Sequence, residues 1–363
     1  MRKINVLSCF DGSSCGQLAL KKLGISVGAY YASEIESYPI KVTQANFPNT
    51  IQVGDITKVS YTSFHHHIDL MMGGSPCQGF SFAGHQLNFD DPRSKLFFDF
   101  IRIRDELRPK YVLLENVRMA KESQDIISKY MGCEPTKINS ALLSAQSRNR
   151  LYWFVQYDWD LQKYVPIHID QPQDKGIKLK DILEDLPFGE IPQYLANNWS
   201  GSPRGDRVKS VDDDKANCLT ASMYKGQIPT FVKKPNPTMS KEGLLHVGTA
   251  NLKGHDSIKR VYSDEGKSPT LTTMGGGHRE PKVQMDLPFV ESQGEYLWRK
   301  LTPLECERLQ TMPDNYTNHV SKTQRYKMIG NGWTVDVIAH ILGSVDINSE
   351  KQWTKMYQTK ELV

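Results

Sequence analysis

The sequence predicts an α/β protein with a doubly wound, mostly parallel sheet and a smaller, loop-rich second domain. Over residues 1 to about 155, short apolar runs alternate with amphipathic segments, which is typical of parallel strands joined by helices. From about residue 158 to 290, prolines and glycines are frequent and long periodic segments are rare. A chain of 363 residues is also longer than one compact core usually requires, so a second domain is expected.

The individual elements follow from the spacing of apolar residues. Short apolar runs predict strands at residues 4–7, 28–32, 68–72, 111–114 and 151–155. Helical spacing predicts helices at residues 16–23, 39–46, 95–107 and 121–130. Two later helices are predicted at 301–311, starting from Thr302-Pro303, and at 331–342, packing back on the first domain. We expect Glu305 and Arg308 to make only weak surface ion pairs.

Several polar or aromatic residues lie just after successive strand candidates. They are Phe10, Glu34, Asp55, Cys77 and Glu115. Because ligands of such sheets bind beyond the carboxyl ends of the strands, we expect these residues to gather along one edge.

Composition excludes several classes of protein. The chain is 39% hydrophobic and 24% charged, which is typical of soluble globular proteins. It has no apolar run of the ~18 residues that a membrane helix needs and no charged-then-apolar leader, so we expect a cytoplasmic protein. The net charge of +4 permits nucleic-acid binding without indicating it.

The six cysteines are scattered without Cys-x-x-Cys spacing, which argues against a zinc site or a disulfide framework. The tract His65-His66-His67 has no acids or cysteines at ligand spacing and is expected to form a solvated loop. We therefore predict no metal. The single set of motifs favours a monomer.

Cys77 is the strongest candidate for a nucleophile. It lies in Gly73-Gly74-Ser75-Pro76-Cys77, between an apolar run and a glycine-containing turn, where a thiol can face a cleft. A lone cysteine is more often a small buried hydrophobe, so the spacing alone leaves both interpretations open.

Pro76-Cys77-Gln78 resembles the catalytic motif of the cytosine-5 DNA methyltransferases. Further matching segments follow in the family's order: Phe10, Gly12 and Gly16 within residues 6–16, then Glu34, Asp55, Glu115-Asn116-Val117, residues 146–150 and Gly330-Asn331. The resemblance extends from about residue 4 to residue 342. It implies a Rossmann-like methyltransferase fold that uses S-adenosyl-L-methionine and releases S-adenosyl-L-homocysteine.

The resemblance also implies a chemistry for the catalytic residues. The Cys77 thiolate would add to carbon 6 of a cytosine, which activates carbon 5 for methylation. Glu115 would contact N3 and the exocyclic amine of the base; taken alone, it could equally be a solvated acid at a strand end. We expect Arg148 and Arg150 to raise the thiolate fraction of Cys77, since nearby cations stabilise a thiolate.

The residues that the resemblance assigns to the cofactor come from both ends of the chain. Glu34 would bind the ribose hydroxyls and Asp55 the adenine amine. The complete set is Phe10, Asp11, Gly12, Ser13, Ser14, Cys15, Gly16, Glu34, Ile35, Asp55, Ile56, Pro76, Asn331 and Val335. The loop at residues 11–16 could by itself be a plain strand-to-helix turn. No role is assigned to Trp333.

The DNA partner would be double-stranded, with the target cytosine flipped out of the helix. Residues 78–91 are predicted to form a mobile loop, and residues 272–279 a DNA-contacting segment or, alternatively, a flexible glycine turn. The candidate DNA contacts are Gln78, Ser81, Arg93, Thr273, Gly275, Gly276 and Arg279.

The resemblance suggests a domain division into 1–157 (catalytic and cofactor-binding), 158–290 (target recognition), 291–345 (helices returning to the catalytic domain) and 346–363 (tail). The predicted function is methylation of carbon 5 of cytosine within a short, specific DNA sequence, as in restriction-modification. Two alternatives remain open at this point. One is an RNA cytosine methyltransferase on the same fold, and the other is a catalytically silent DNA-binding homologue.

Overall fold

The computed structural model describes residues 2–75, 92–184, 208–210, 231–233, 243–244, 246–249, 259–264, 266–271, 282–284 and 298–347. Two predicted segments lie outside the described residues: the loop at 78–91 and the DNA-contacting segment at 272–279. Of the tail predicted at 346–363, only residues 346 and 347 are described.

An eight-stranded sheet forms the centre of the molecule. Its strands are β1 Ile4–Cys9, β2 Val27–Ser33, β3 Ile51–Gln52, β4 Leu70–Gly74, β5 Tyr111–Val117, β6 Thr136–Asn139, β7 Asn149–Asp158 and β8 Lys163–Pro166. The strand order is β3-β2-β1-β4-β5-β7-β6, with β8 also paired to β7. Strands β1 to β5 are mutually parallel, whereas β7 is antiparallel to its three neighbours. The predicted mostly parallel α/β fold is therefore confirmed.

The sheet is buried on both faces, which explains why its strands are continuous apolar runs. In β1, Ile4 and Val6 join one hydrophobic cluster while Leu7 and Cys9 join the other, because successive side chains point to opposite faces. The register is correspondingly well defined, since a one-residue slip would exchange the two cores.

The helices are α1 Cys15–Lys22, α2 Ser37–Asn46, α3 Pro92–Leu107, α4 Lys121–Met131, α5 Pro303–Leu309, α6 Lys322–Asn331 and α7 Val335–Leu342. Helix α7 packs against α1, as predicted, and Lys22 at the end of α1 forms an ion pair with Asp336 of α7. The C-terminal helices thus return to the first part of the chain.

Four details differ from the sequence prediction. The helix predicted at 331–342 begins only at Val335, because residues 332–334 are extended, and the preceding helix α6 was missed. Strand β4 includes Gly73 and Gly74, since its parallel pairing continues to Glu115. Strand β5 extends to Val117, so Glu115 lies within this strand rather than after it.

The prediction that α5 makes only surface ion pairs is wrong in part. Arg308 does pair with Asp314 near the surface, at 2.6 Å. Glu307, however, is fully buried and pairs with Arg325 at 2.9 Å, and the buried Glu305 closes a capping box with Thr302. The sequence did not predict the burial of Glu305 and Glu307, because nothing in α5 itself indicates that residues 315–325 fold over it.

Six short strands lie among the residues that the structure describes after β8: β9 Val208–Ser210, β10 Phe231–Lys233, β11 His246–Thr249, β12 Arg260–Ser263, β13 Lys282–Gln284 and β14 Trp298–Lys300. The last four form a sheet in the order β11-β12-β13-β14, and β9 pairs with β10. Residues 266–271 contact the first part of the chain: Ser147 donates its amide to the Ser268 carbonyl, and Gln146 accepts from the Leu271 amide at 2.7 Å. The predicted domain boundaries remain predictions.

Within the described ranges, no helix combines the length and apolar character needed to cross a bilayer. The same residues contain no group of three or more His, Cys, Asp or Glu side chains arranged to hold a metal ion.

Candidate active site

The carboxyl ends of five adjacent parallel strands bring the predicted site residues to one edge of the sheet. Phe10 follows β1, Glu34 follows β2 and Asp55 comes shortly after β3. Glu115 lies in β5 directly opposite Gly74, the last residue of β4. These residues, which are far apart in the sequence, therefore lie along the same edge of the sheet.

The loop between β1 and α1 has an unusual backbone. Phe10, Gly12 and Ser14 all have φ between +57° and +58°, the left-handed region that non-glycine residues rarely adopt. Such local strain persists only where the surrounding structure holds it, and it clusters at ligand-binding positions. The backbone of this loop thus differs from that of an ordinary strand-to-helix turn, and its role in binding a ligand stays a prediction.

Gly16 in α1 lies in close contact with the Met72 side chain. A Cβ at this position would lie 2.5 Å from Cε and 2.8 Å from Sδ of Met72 in β4. The glycine therefore lets α1 approach the sheet directly behind the loop.

Asp11 anchors the loop from within. Its carboxylate is buried and accepts hydrogen bonds from the Tyr30 hydroxyl at 2.8 Å and from the Ser14 hydroxyl. Burial raises the pKa of Asp11 to about 6, although the bonds from Ser14, Ser8 and Tyr30 partly oppose the shift, and the charge of Glu34 adds to it. Tyr30 went unnoticed in the sequence because a tyrosine in a buried strand looks like ordinary core.

Glu34 organises the chain at the end of β2. Its Oε2 accepts from the Gly12 amide at 2.9 Å, and its Oε1 accepts from the amides of Ile35 and Glu36 at 2.7 and 2.8 Å. The side chain thus joins the β1–α1 loop to the turn after β2. It remains partly exposed, so its oxygens can accept further hydrogen bonds from a ligand.

Asp55 caps a short 3-10 turn at Ile56–Lys58 and accepts from the Thr57 amide at 3.0 Å. That hydrogen bond lowers the pKa of Asp55, so the carboxylate stays ionised at neutral pH. Beside this row, the Ile35 side chain is 74% exposed while Ile56 is buried.

The predicted cofactor residues from the C-terminal region are in two different environments. Val335, at the start of α7, is buried and belongs to the same hydrophobic cluster as Cys15. Asn331, the last residue of α6, is exposed. Val335 thus belongs to a helix that packs against α1, the helix that follows the β1–α1 loop.

Glu115 lies between two donors. Oε1 is 3.1 Å from Nε of Arg150, and Oε2 accepts a hydrogen bond from Nε1 of Trp333 at 3.1 Å. Both carboxylate and guanidinium are largely buried, and the Arg150 Nε–H does not point at the carboxylate. The pair is therefore an electrostatic contact that can still reorient toward a polar ligand.

Arg148 is more deeply buried than Arg150 and has different partners. Its guanidinium donates to the carbonyls of Leu271, Gly330 and Gly332 at 3.0 to 3.2 Å. Burial, followed by the charge of Arg150, lowers the pKa of Arg148 to about 10. The two arginines of this motif thus differ: one holds main chain together and the other faces the Glu115 carboxylate.

Gln310 was missed by sequence analysis although it completes this arrangement. Its amide nitrogen donates to the carbonyls of Ile329 and Gly332, and its oxygen accepts from Thr334 at 2.8 Å and from Gln146 at 3.2 Å. A buried glutamine must satisfy both ends of its amide, but nothing in the local sequence indicates that Gln310 is buried.

Trp333 was the other omission. A half-buried tryptophan usually finds a partner for its indole N–H, but the identity of that partner depends on the tertiary fold.

The cysteines of the described ranges are poorly suited to act as nucleophiles. Cys9, Cys15 and Cys306 are buried. Burial raises the pKa of the Cys9 thiol far above its usual range and raises the pKa of Cys15 and of Cys133 to about 11. These thiols stay protonated at neutral pH, whereas a nucleophile must be a thiolate.

Several predicted site residues lie outside the described residues. They are Pro76, Cys77, Gln78, Ser81, Thr273, Gly275, Gly276 and Arg279, together with the side chain of Arg93.

The chain has extensive similarity to known methyltransferases. It is 29% identical over 431 residues to the orphan methyltransferase M.SPBetaI of Bacillus phage SPbeta, covering 94% of this chain and 97% of that protein. It is 27% identical over 354 residues to the type II methyltransferase M.HhaI of Haemophilus parahaemolyticus, covering 93% of each. Among solved structures, the Entamoeba histolytica methyltransferase EhMeth has the same fold, with a TM-score of 0.62 at 16% identity over 95% of this chain and 98% of that one.

A family model for C-5 cytosine-specific DNA methylases matches residues 4–346, which include both the β1–α1 loop and the segment that carries Trp333. Because this match spans nearly the whole chain, the protein belongs to the family of C-5 cytosine-specific DNA methylases.

Proposed function

We propose that the protein transfers a methyl group from S-adenosyl-L-methionine to carbon 5 of a flipped-out cytosine in a short, specific double-stranded DNA sequence, through a covalent adduct with Cys77. Membership of the family supports methylation of cytosine in DNA. The flipped base, the adduct and the individual residue roles are parts of the proposal.

The residues at the sheet edge fit the cofactor. Glu34 and Asp55 follow neighbouring strands, and their carboxylates would accept hydrogen bonds from the two hydroxyls of the ribose and from the adenine amine. The exposed Ile35 side chain would cover the adenine ring, and the left-handed backbone at Phe10, Gly12 and Ser14 would approach the amino-acid end. S-adenosyl-L-methionine supplies an electrophilic methyl group; the protein residues bind and orient it.

Cys77 is the proposed nucleophile because it lies in the Pro76-Cys77-Gln78 motif. Among the described cysteines, burial raises the pKa of Cys9, Cys15 and Cys133, and Cys306 is buried. In the sequence, Cys77 follows Gly74, the last residue of β4, after two intervening residues. Addition of its thiolate to carbon 6 makes carbon 5 nucleophilic. After methylation, loss of the carbon-5 proton and departure of the thiolate restore the aromatic ring and the free enzyme.

Glu115 and Arg150 are the proposed partners of the flipped base. The carboxylate would accept from the exocyclic amine and interact with a protonated N3, and the guanidinium would donate to a carbonyl oxygen of the base. Their separation of 3.1 Å, opposite the end of β4, is the observation that carries the proposal. It places a complementary acceptor and donor beside the strand that leads to Cys77.

A methyl-transfer assay tests this function. The purified protein is incubated with tritiated S-adenosyl-L-methionine and mixed-sequence duplex DNA, and modified cytosines are mapped by bisulfite sequencing. We expect label at carbon 5 within one short motif. Cys77→Ala is expected to abolish transfer and retain DNA binding, whereas the matched variant Cys133→Ala is expected to retain transfer.

A parallel incubation with transfer RNA separates DNA from RNA methylation. Label on RNA alone, or full activity of Cys77→Ala, would contradict the proposal. DNA binding by the wild-type protein without any transfer would instead indicate a catalytically silent homologue.

A further inference from the structure

We infer that Trp333 is a positioning residue for Glu115, and that it ties the carboxylate to the cofactor loop. This inference rests on the proposed function, because it concerns the acid that is proposed to bind the cytosine.

The contact is direct and specific. The indole Nε1 of Trp333 donates to Oε2 of Glu115 at 3.1 Å, while the other oxygen of the same carboxylate faces Arg150. Since the Arg150 contact is electrostatic only, the hydrogen bond from Trp333 is the contact that restricts rotation of the carboxylate about its terminal torsion, which is otherwise broad. Each oxygen accepts in more than one direction, so both can still accept from a base.

The backbone around Trp333 is held on both sides. The Gly332 carbonyl accepts from Arg148 at 3.0 Å and from Gln310 at 3.1 Å. On the other side, the Thr334 hydroxyl bonds to Gln310 and to Ser140, at 2.8 and 2.9 Å. The indole is therefore presented from a fixed support rather than from a free loop, as a positioning side chain requires.

The same residue contacts the cofactor loop. The main-chain N–H of Trp333 lies near the thiol of Cys15, where it lowers the pKa of that thiol; Cys15 begins α1 at the end of the β1–α1 loop. The adjacent Gly332 lies equally close, since a Cβ there would be 3.3 Å from the Cys15 sulfur. One residue thus contacts the proposed cofactor loop through its main chain and the proposed base-binding acid through its side chain.

Space for the indole is provided by Gly74. A Cβ on Gly74 would lie 2.9 Å from Nε1 of Trp333 and 2.8 Å from Oε2 of Glu115. The hydrogen bond therefore crosses directly over the last residue of β4, three residues before Cys77.

Trp333→Phe tests the inference, because it removes the donor and keeps an aromatic ring. We expect kcat for methyl transfer to fall about 10-fold or more, as loss of a hydrogen bond to a charged group predicts, with KM for S-adenosyl-L-methionine changed less than about threefold. The matched control is Trp153→Phe, which removes an equivalent bond of 3.0 Å to the Ser128 hydroxyl in the core. That variant is expected to lose stability but keep kcat.

A double-mutant cycle separates positioning from general support. Glu115→Asp shortens the side chain, so its carboxylate no longer reaches the indole. If Trp333 acts through Glu115, adding Trp333→Phe to Glu115→Asp slows single-turnover transfer less than about twofold. The inference would be overturned if the rate reductions of the two single variants multiplied fully in the double variant, or if Trp333→Phe kept the wild-type kcat.

The experiments distinguish failure of the proposed function from failure of the inference about Trp333. If the wild-type protein transfers no methyl group to DNA, the proposed function is wrong. If the wild type is active and depends on Cys77 but Trp333→Phe is unaffected, only the inference about Trp333 is wrong.

Discussion

Gly74 and Glu115 lie directly opposite each other in the adjacent parallel strands β4 and β5, and the Glu115 carboxylate extends over the glycine. The distance from an ideal Cβ on Gly74 to Oε2 would be 2.8 Å, shorter than van der Waals contact allows. The position of this carboxylate therefore depends on the missing side chain of its neighbour.

Gly74→Ala is expected to displace Glu115 and Trp333 together and to reduce methyl transfer about 100-fold or more, since small misplacements of catalytic groups cost that much. The measurement is kcat under saturating cofactor and DNA. Gly24→Ala is the control: its φ of +67° makes alanine strained, but nothing lies within 4 Å of the added Cβ. It should cost about 1 kcal/mol of stability and leave kcat unchanged. Equal kcat values for the two variants would contradict this.

Arg148 and Arg150 are expected to differ in what they support. Arg148→Lys removes the planar fork that serves three main-chain carbonyls. We expect the free energy of unfolding, measured by urea titration, to fall by about 3 kcal/mol, because buried acceptors are left without donors. Arg150→Lys keeps the positive charge beside Glu115, so it should cost less stability than Arg148→Lys and mainly reduce methyl transfer. Equal losses of stability would show that the two arginines have the same role.

Tyr316 holds the cofactor loop from the C-terminal region. Its hydroxyl donates to the Ser13 carbonyl at 2.6 Å. Tyr316→Phe removes one buried hydrogen bond worth about 1 kcal/mol, so we expect the Kd of S-adenosyl-L-methionine to rise about fivefold in calorimetric titrations. Tyr326→Phe removes a bond of the same length to the Leu301 carbonyl and should leave this Kd unchanged. An unchanged Kd in Tyr316→Phe would show that the loop keeps its conformation without this contact.

Asp11 should make the protein less stable as pH rises. Burial raises the pKa of Asp11 from 3.8 to about 6. The Asp11 carboxyl is therefore protonated in both the folded and the unfolded chain below pH ~4, and it is ionised in both well above pH 6. Between these limits the unfolded state loses its proton first, and folding loses up to about 3 kcal/mol of stability. Urea titrations of the wild type and Asp11→Asn at pH 4.5 and 7.5 measure the difference.

The Asp11→Asn variant cannot ionise at this position, so its stability relative to the wild type should increase from pH 4.5 to pH 7.5. The other titrating groups are shared by both proteins and cancel in the comparison. Parallel pH dependences would mean that Asp11 ionises in the folded protein as easily as in the unfolded chain.

Much of the molecule could be predicted from the residues alone. Alternating apolar runs and amphipathic segments predicted the parallel sheet, because strands buried on both faces must be continuously apolar. The order of the motifs from Phe10 to Gly330 indicated the family, and the positions of Phe10, Glu34 and Asp55 after strands predicted the edge where they gather. These features depend on spacing along the chain, which a sequence states directly.

The contacts between distant segments were decided by the tertiary structure. Trp333 and Glu115 are separated by 218 positions, and Tyr316 and Ser13 by 303. The burial of Glu307 and the division of labour between Arg148 and Arg150 likewise depend on which main-chain groups fold against them. A polar side chain carries the same donors and acceptors wherever it lies, so only the packing of the folded chain selects its partner.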